Sequence, residues 1–250
     1  ERHDNTPLWL RSGIVVGDML DPRLTLIIGG ATSAIAKGVV SEFASECSVI
    51  PLVRRKVPKD FFGGVPVKPV EVDYFSEEPF DLEGTLRKDA KIIFINFAVS
   101  KEDRIFLKQT MDNFIETYKV NVLANIRPLQ SLIPKMISAK WGRIMFVSST
   151  GAARGDVGIS SYAASKSALL GLSGSLSKEY GRFGITANVL SLGYFDSELM
   201  RKVPEKKLNA LMSGIPGRKI GTGRDIAATI RMLIDTDYIN GSVIKLDGGG

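Results

Sequence analysis

The sequence predicts an α/β fold, a single doubly wound parallel sheet of about seven strands with helices on both faces. Short apolar runs recur along the chain, and the first of them, residues 24–28, ends at a pair of glycines. Patterns with helical spacing alternate with these runs, and neither a linker nor an internal repeat divides the chain. Alternating strands and helices imply parallel strands joined by right-handed crossovers.

The strands are predicted from apolar runs of the length that a buried parallel strand needs. They cover residues 24–28, 48–53, 67–72, 91–97, 143–148, 186–190 and 242–246. The predicted helices are 33–45, a part of 83–88, 103–139, 161–180 and 222–234, while 194–217 looks irregular. We expect the long segment 103–139 to break near residues 100–104 and to bend around Pro128. Thr222 should cap the last helix, with Asp225 in its first turn.

One domain is predicted over residues 24–250, preceded by an N-terminal extension at 1–23. The irregular stretch at about 194–217 follows the sixth strand and is the expected substrate loop. It carries six large apolar or aromatic side chains that fit either a pocket or a helix core, namely Tyr194, Phe195, Leu199, Met200, Leu211 and Met212.

Composition excludes several kinds of chemistry. The chain has 250 residues, 44% of them hydrophobic, so it can bury a core without disulfides or structural metals. His3 is the only histidine and Cys47 the only cysteine, which rules out an intramolecular disulfide and a multi-histidine metal site. Any general acid or base must then be Tyr, Lys, Asp or Glu. We expect a metal-free cytoplasmic protein.

The formal charge of +6 is dispersed along the chain. A dispersed positive charge suits an anionic cofactor or substrate at least as well as a nucleic acid, so no nucleic-acid partner is predicted. No apolar run reaches the roughly 18 residues that a membrane-spanning helix needs, and the charged N-terminus lacks the apolar core of a signal peptide. A membrane partner is therefore not expected.

The first strand leads into the turn Gly29-Gly30-Ala31-Thr32-Ser33-Ala34-Ile35-Ala36 and then into a helix. This order places backbone N–H groups and a helix N-terminus where a phosphate can bind. Taken alone, the turn is equally well explained as a buried connection made of small residues.

The end of the second strand favours one dinucleotide over the other. Residues 50–55 read Ile-Pro-Leu-Val-Arg-Arg and contain no carboxylate to bond ribose hydroxyls. Arg54 and Arg55 can pair with a 2′-phosphate through charge-assisted hydrogen bonds. The segment thus predicts NADP(H) rather than NAD(H), although a solvated basic pair is the alternative.

Tyr162 and Lys166 lie four residues apart on a predicted helix, on one face of it. An ammonium group beside a phenol favours the phenolate and so lowers the pKa of the tyrosine. Ser149 ends the fifth strand, at the edge of the sheet where α/β enzymes bind ligands. Without these surroundings, the Tyr–Lys spacing would suit an ordinary surface pair.

Three segments carry a family resemblance: Val147-Ser-Ser-Thr-Gly-Ala152, Ser161-Tyr-Ala-Ala-Ser-Lys-Ser-Ala-Leu169 and Gly184-Ile-Thr-Ala-Asn-Val189. They resemble the short-chain dehydrogenase/reductase family, and most of all its 3-oxoacyl-carrier-protein reductases. The likeness covers about residues 24–250 and implies a Rossmann-like fold. It also implies that Ser149 orients the substrate oxygen, Tyr162 transfers the proton, Lys166 binds the nicotinamide ribose and lowers the tyrosine pKa, and Asn121 holds a water in a proton relay.

The same resemblance implies a set of cofactor contacts. Besides Tyr162 and Lys166 they are Gly30, Thr32, Ser33, Ile35, Arg54, Arg55, Asp73, Asn96, Gly193 and Ser197. Ala34 and Ala36 replace the second and third glycines of the family turn. Phe97-Ala98-Val99 follows Asn96 where the family has Asn-Ala-Gly. Both departures add side-chain volume where the cofactor is expected.

The resemblance implies an NADP(H)-dependent oxidoreductase that reversibly reduces a ketone to a secondary alcohol, with a 3-oxoacyl carrier thioester as one substrate class. The alternatives are a reductase of a sugar or polyketide-type ketone, and a non-catalytic nucleotide-binding homologue. A small-molecule or carrier-linked carbonyl substrate is expected. A homodimer or homotetramer through helices at about 103–139 and 161–182 is implied by analogy.

Overall fold

The computed structural model describes residues 21–250, apart from Pro79, Glu83 and Lys202. Its strands are β1 Leu24–Gly29, β2 Ser48–Val53, β3 Val70–Glu71, β4 Lys91–Asn96, β5 Gly142–Ser149, β6 Ile185–Leu192 and β7 Val243–Leu246. Its helices are α1 Ala34–Phe43, α2 Met111–Asn121, α3 Ile126–Ala139, α4 Thr150–Arg154, α5 Ser160–Tyr180, α6 Glu198–Arg201, α7 Glu205–Ser213 and α8 Gly223–Asp235. The predicted extension lies outside the described residues except for its last three.

The strands form one parallel sheet in the order β3-β2-β1-β4-β5-β6-β7. The predicted doubly wound sheet of about seven strands is thereby confirmed. The chain order reverses between β1 and β4, so the connections leave these two strands on opposite faces. Such a reversal opens a crevice at the carboxyl ends of the strands, where ligands of open α/β sheets bind.

Core packing follows the two-residue period of the strands. In β1, Leu26 and Ile28 belong to the apolar cluster on one face of the sheet, whereas Ile27 belongs to the cluster on the other face. Helices α1 and α8 cover the first face with Val39, Val40, Phe43, Ile226, Ile230 and Leu233. Helices α3 and α5 cover the second with Leu129, Leu132, Ile133, Met136 and Leu169. Burial on both faces explains why β1 reads as an uninterrupted apolar run.

Two glycines bring α1 and α8 together. A Cβ built on Gly223 would lie 2.7 Å from the Cα of Gly38, closer than packed atoms approach. The N-terminus of α8 therefore rests directly on the backbone of α1. Thr222 caps α8, its hydroxyl and backbone N–H both reaching the carboxylate of Asp225, which confirms the predicted helix start.

The prediction that helices alternate with strands throughout is wrong between β2 and β4. The segments 54–69 and 72–90 contain no helix among their described residues, and β3 spans two residues instead of the predicted 67–72. Pro58, Pro66 and Pro69 interrupt any helix in the first segment, and Gly63 and Gly64 adopt positive φ. The expected helix within 83–88 is a turn around Gly84, which also has positive φ.

The long segment 103–139 breaks at a different place from the one predicted. Helix α2 ends at Asn121, Val122 takes φ −114° and ψ −60°, and a 3-10 turn at Leu123–Asn125 leads into α3. Pro128 is the third residue of α3, where its missing N–H has no helical acceptor to lose, so it causes no bend. No helix in the described part of the chain is long and apolar enough to cross a membrane.

Candidate functional site

Two cavities in the described part of the chain open at the carboxyl edge of the sheet. The turn cavity, about 270 Å³, lies beside the turn after β1 and is lined by Gly30, Thr32, Ser33, Leu52, Val53, Arg54, Tyr74, Phe75, Phe97, Ala98, Val99, Val120 and Ala124. The Tyr162 cavity, about 520 Å³, lies beside it. Ser33, Phe97 and Val99 line both, so the start of α1 sits where the two cavities meet.

The turn after β1 requires its two glycines because it passes close to the segment after β4. A Cβ on Gly30 would lie 2.2 Å from the backbone nitrogen of Ala98, and the φ of Gly30 is +59°. A Cβ on Gly29 would lie 2.5 Å from Oδ1 of Asn96. Asn96 is buried, accepts a hydrogen bond from the Ala98 N–H at 2.9 Å and donates to the Ala124 carbonyl at 3.4 Å. It fixes the segment against which the turn packs.

Helix α1 begins at the cavity with Ser33 as its N-cap, whose hydroxyl accepts a hydrogen bond from the Ala36 N–H at 3.2 Å. The positive end of the helix dipole thus faces the space between the two cavities. Ala36 is fully buried in the core. Ala34 lines the rim of the Tyr162 cavity. Of the methyl groups of Ala34 and Ala36, only the Ala34 methyl borders space that a ligand would fill.

The second-strand end is basic, as predicted. Arg54 is exposed and lines the turn cavity, whereas the exposed Arg55 is not part of that lining. Among the residues that the structure describes, no carboxylate lines the turn cavity. Asp73, the expected adenine contact, lies outside the lining as well, and its carboxylate accepts a hydrogen bond from the Phe75 N–H at 2.9 Å.

Tyr74 is a lining residue that the sequence analysis missed. Its side chain is buried, and its hydroxyl accepts a hydrogen bond from the Gly30 N–H at 3.2 Å. Burial raises the pKa of Tyr74 to about 12, so the phenol stays neutral. This bond ties the end of β3 to the turn after β1. The signal in the sequence is an aromatic pair, Tyr74-Phe75, directly after Asp73.

The Tyr162 cavity brings together most of the remaining predicted residues. Its lining includes Ser33, Ile35, Ser149, Tyr162, Lys166, Gly193 and Ser197. Asn121, Asn96, Asp73 and Arg55 lie outside the linings of both cavities. Gly193 is needed for packing, because a Cβ there would lie 2.8 Å from the Cα of Asp247. The Ser197 hydroxyl accepts a hydrogen bond from the Met200 N–H at 3.2 Å.

Ser149 and Tyr162 are hydrogen-bonded neighbours in this cavity. Ser149 ends β5 and caps α4, accepting a hydrogen bond from the Gly151 N–H at 3.2 Å. Burial is the main influence on Tyr162 and raises the pKa of its phenol, while the hydrogen bond with Ser149 opposes that rise. The net direction is upward because desolvation dominates, and the expectation that Lys166 lowers the tyrosine pKa stays a prediction.

Lys166 is buried, and its ammonium donates a hydrogen bond to the Val147 carbonyl at 2.7 Å. The Nζ atom lies 5.9 Å from the centroid of the Tyr162 ring. Burial lowers the pKa of Lys166 to about 8. Lys166 is thus held in the lining of the cavity beside the Tyr162 ring. Its ammonium gives up a proton more easily than that of a free lysine.

The Asn121 side chain forms hydrogen bonds to two separate elements. Its amide accepts a hydrogen bond from the Ser100 N–H at 2.7 Å and donates to the Ser100 carbonyl at 3.0 Å. The same amide nitrogen donates to the Ser165 hydroxyl at 2.9 Å. The side chain therefore joins the loop after β4 to α5, next to Lys166. The water relay expected of Asn121 stays a prediction.

The mouth of the Tyr162 cavity carries charged and aromatic residues that no sequence motif marked. Lys101 and Asp103 form an ion pair at 2.9 Å, and Arg154 and Asp156 form another at 3.1 Å. From the expected substrate loop, Tyr194, Phe195 and Met200 line the cavity, while Leu211 lines a neighbouring cavity of about 300 Å³. The side chain of Leu199 lies outside the described part of the chain.

The comparisons with known proteins agree with this geometry. A family model described as enoyl-(acyl carrier protein) reductase matches residues 86–250. The 3-oxoacyl-[acyl-carrier-protein] reductase MabA of Mycobacterium avium is 27% identical over 233 residues, 90% of this chain and 89% of MabA. The reductase FabG of Aquifex aeolicus, which bears the same 3-oxoacyl description, is 28% identical over 230 residues, 90% of this chain and 86% of FabG.

Among solved structures, a putative 2-deoxy-D-gluconate 3-dehydrogenase from Agrobacterium tumefaciens with bound NADP matches 92% of this chain and 97% of its own. Its TM-score is 0.76 at 22% sequence identity, a likeness that concerns the fold. Strands β4 to β7 and the residues Ser149, Tyr162 and Lys166 lie within the part of the chain that the family model matches. The chain therefore belongs to the short-chain dehydrogenase/reductase family.

Proposed function

We propose that this protein is an NADP(H)-dependent oxidoreductase that reversibly reduces a ketone to a secondary alcohol. The proposal rests on one observation: Ser149, Tyr162 and Lys166 line the same cavity, at the N-terminus of α1. A half-buried phenol hydrogen-bonded to a serine, beside a buried ammonium, is suited to exchanging a proton with a substrate oxygen.

The residues present fit a dinucleotide with a 2′-phosphate. Gly30 lets the turn approach the β4 segment, and the N-terminus of α1 offers N–H groups to the pyrophosphate. Arg54 lines the turn cavity where the 2′-phosphate would lie, and the described lining residues include no carboxylate. The related A. tumefaciens structure holds NADP, which supports the same choice here.

Other contacts are proposed from the positions of the side chains. On the adenosine side they are Thr32, Ser33, Arg54, Arg55 and Asp73, with Asn96 supporting the turn. On the nicotinamide side they are Ile35, Tyr162, Lys166, Gly193 and Ser197. Arg55 and Asp73 would need to turn toward the cofactor, since neither lines the turn cavity.

When bound, the cofactor supplies the hydride, and the protein supplies position and protons. Tyr162 donates its proton to the carbonyl oxygen as that oxygen gains charge. Ser149 holds the same oxygen, so two hydrogen bonds stabilise the developing alkoxide. Lys166 lies within 5.9 Å of the phenol ring centroid and stabilises the phenolate that remains. Asn121 holds the loop after β4 against α5.

The proposed substrate is a small or carrier-linked ketone. The cavity wall is largely apolar, with Val157, Ile159, Leu192, Phe195 and Met200, and basic side chains lie at its mouth. This composition suits a 3-oxoacyl thioester on a carrier, as the names of the relatives suggest.

We also propose that the chain works as a homodimer or homotetramer in the cytoplasm. Helices α2 and α5 expose apolar side chains, with Met111 at 73%, Ile115 at 57% and Tyr118 at 44% exposure. An apolar cavity of about 430 Å³ lies between these two helices. An exposed apolar face of this kind marks an interaction site, and a second copy would cover it. Light scattering of the purified protein tests the assembly.

The decisive experiment measures NADPH binding by calorimetry and then NADPH oxidation with a panel of ketones. Replacing Tyr162 by Phe should lower kcat by ~10²–10⁴ while leaving NADPH affinity within about twofold. Tyr180→Phe, at the far end of the same helix, is the matched control and should keep full activity. Wild-type-like turnover of the Tyr162→Phe protein, or a wild type that does not bind NADPH, would contradict the proposal.

A further inference from the structure

The loop after β4 places an ion pair beside the proposed proton donor. The Nζ atom of Lys101 lies 5.8 Å from the centroid of the Tyr162 ring, as near as Lys166 at 5.9 Å. Asp103 lies 2.9 Å from the same ammonium, and both residues line the Tyr162 cavity. Two ammonium groups from different elements therefore flank one phenol, and the outer one carries a carboxylate partner.

The two ammonium groups sit in different surroundings. Lys166 is fully enclosed and bonded to the Val147 carbonyl at 2.7 Å. The Lys101 side chain is 37% exposed and meets water at the cavity mouth. Water screens a partly exposed charge, so such a charge acts more weakly on its neighbours than an enclosed one does.

Hydrogen bonds fix the start of this loop against the helix of Tyr162. Asn121 holds both backbone groups of Ser100, the residue before Lys101, at 2.7 and 3.0 Å. Asn121 also bonds the Ser165 hydroxyl at 2.9 Å, and Ser165 in turn donates to the Tyr162 carbonyl at 2.7 Å. A continuous path of hydrogen bonds thus runs from the residue before Lys101 to the backbone of Tyr162.

The far end of the loop is fixed as well. The Arg104 N–H donates to the Gly158 carbonyl at 2.9 Å, and the Gln109 side chain donates to the Arg104 carbonyl at 2.7 Å. The Gln109 amide oxygen accepts from the Ser161 N–H at 3.2 Å. The segment that carries Lys101 and Asp103 is therefore bound at both ends to the chain around Tyr162, so the ion pair has a defined place.

Other charged and titratable groups also face the phenol. They are Lys166 on its own helix, Arg154 and Asp156 at the cavity mouth, and Tyr194 after β6. Arg154 and Asp156 pair with each other at 3.1 Å, so their opposite charges largely cancel at a distance. The Lys101–Asp103 pair differs because the field of its ammonium reaches the phenol directly.

We propose that Lys101 and Asp103 are positioning residues that set the pH at which Tyr162 yields its proton, the ammonium favouring the phenolate and the carboxylate opposing it. The inference rests on the proposed function of Tyr162. The proposed direction of each effect agrees with the electrostatics of the cavity. Lys101 lowers the pKa of the Tyr162 phenol, and Asp103 raises it. Lys101 counteracts the effect of burial on the half-buried phenol, and Asp103 limits how far it does so.

The test compares the pH dependence of kcat/KM for ketone reduction in four variants. Reduction needs the protonated phenol, so the rate falls as pH rises through the Tyr162 pKa. Lys101→Met should move that falling limb up by ~0.5 pH unit, and Asp103→Asn should move it down by a similar amount. Lys101→Arg keeps the charge and should keep the wild-type profile. Lys108→Met removes a charge from the same loop, outside the cavity lining, and should also leave the profile unchanged.

A second readout needs no turnover. In protein labelled with 13C at tyrosine Cζ, the Tyr162 resonance is assigned by its loss in Tyr162→Phe and followed through a pH titration. The pKa should rise in the order Asp103→Asn, wild type, Lys101→Met. Equal values in all three, or the reverse order, would overturn the inference. If no ketone is reduced, the proposed function fails while this titration still tests the electrostatic role.

Discussion

The two halves of the cleft have departed from the family pattern to different degrees. On the Tyr162 side, β5, α5 and β6 follow the predicted bounds closely, and Ser149, Tyr162 and Lys166 meet in one cavity. On the turn side, the crossovers at 54–69 and 72–90 have no described helix. The family model begins at residue 86. It therefore covers the Tyr162 side of the cleft and leaves most of the turn side unmatched.

The difference teaches which constraints the chemistry imposes. Proton transfer needs a few groups at fixed distances, so the elements that carry them tolerate little change. Binding the adenosine end needs only a surface of the right shape and charge. Different residues can supply such a surface. In this chain Tyr74 accepts a hydrogen bond from the turn, Phe97 lines both cavities, and Arg54 provides the positive charge.

The substitution with the largest expected effect is Lys166→Met, on the Tyr162 side of the cleft. We expect kcat to fall by ~10²–10⁴, because the ammonium that stabilises the phenolate is lost. Steady-state kinetics with NADPH measures it. Lys178→Met, an exposed position on the same helix, is the control and should leave kcat unchanged.

The same variant should change stability with a defined pH dependence. The pKa of Lys166 is lowered to about 8 in the folded state from 10.5, so the unfolded chain binds more protons between these values. The free energy of unfolding of the wild type should rise with pH across that window. At pH 7, Lys166→Met should be more stable than wild type by about 1–3 kcal/mol, because an unpaired buried charge is removed. An advantage that persists undiminished above pH 10.5 would contradict this reasoning.

On the turn side, Gly30→Ala should have the next largest effect. The added methyl would lie 2.2 Å from the Ala98 nitrogen, and a non-glycine residue at φ +59° is strained. Backbone strain of ~1–2 kcal/mol adds to the cost of moving the β4 segment, so the free energy of unfolding should fall by about 3 kcal/mol. Chemical denaturation measures the loss. Gly174→Ala is the matched control, since its Cβ meets nothing within 4 Å and α-helical alanine is favoured.

Arg54→Ala tests the charge of the turn cavity. We expect NADPH affinity to drop about 10- to 100-fold, as one or two charge-assisted hydrogen bonds to the 2′-phosphate disappear. NADH affinity should change little, so the ratio of the two dissociation constants is the informative measurement. Lys56→Ala removes an equal charge from the same exposed segment and should leave the ratio intact. An equal loss of affinity for NADPH and NADH would instead indicate a structural role for Arg54.

The smallest expected effect belongs to Tyr74→Phe. The variant keeps the ring but leaves the Gly30 N–H without its acceptor at 3.2 Å. One such bond contributes about 1 kcal/mol, so NADPH affinity should weaken about fivefold at unchanged kcat. Fluorescence titration measures the affinity, with Tyr238→Phe, 97% exposed, as the control. A larger change in kcat than in affinity would contradict a role confined to the turn.

Sequence patterns were enough to predict the parts of the fold that depend on local chemistry. The apolar run of β1, the cap at Thr222 and the four-residue spacing of Tyr162 and Lys166 each have a structural counterpart. The helix break was misplaced because proline is tolerated in a first turn, while the conformation of Val122 depends on packing. Tyr74, Lys101 and Asp103 were missed because their roles arise from tertiary contacts between segments far apart in the chain.

The two-residue β3 limits how this sheet can meet another protein. Val70 and Glu71 pair with β2 on their inner side, and Pro69 before them has no N–H to donate. A foreign strand approaching this border would find too few free backbone groups to extend the ladder. Accidental edge-to-edge aggregation is thereby discouraged at this border.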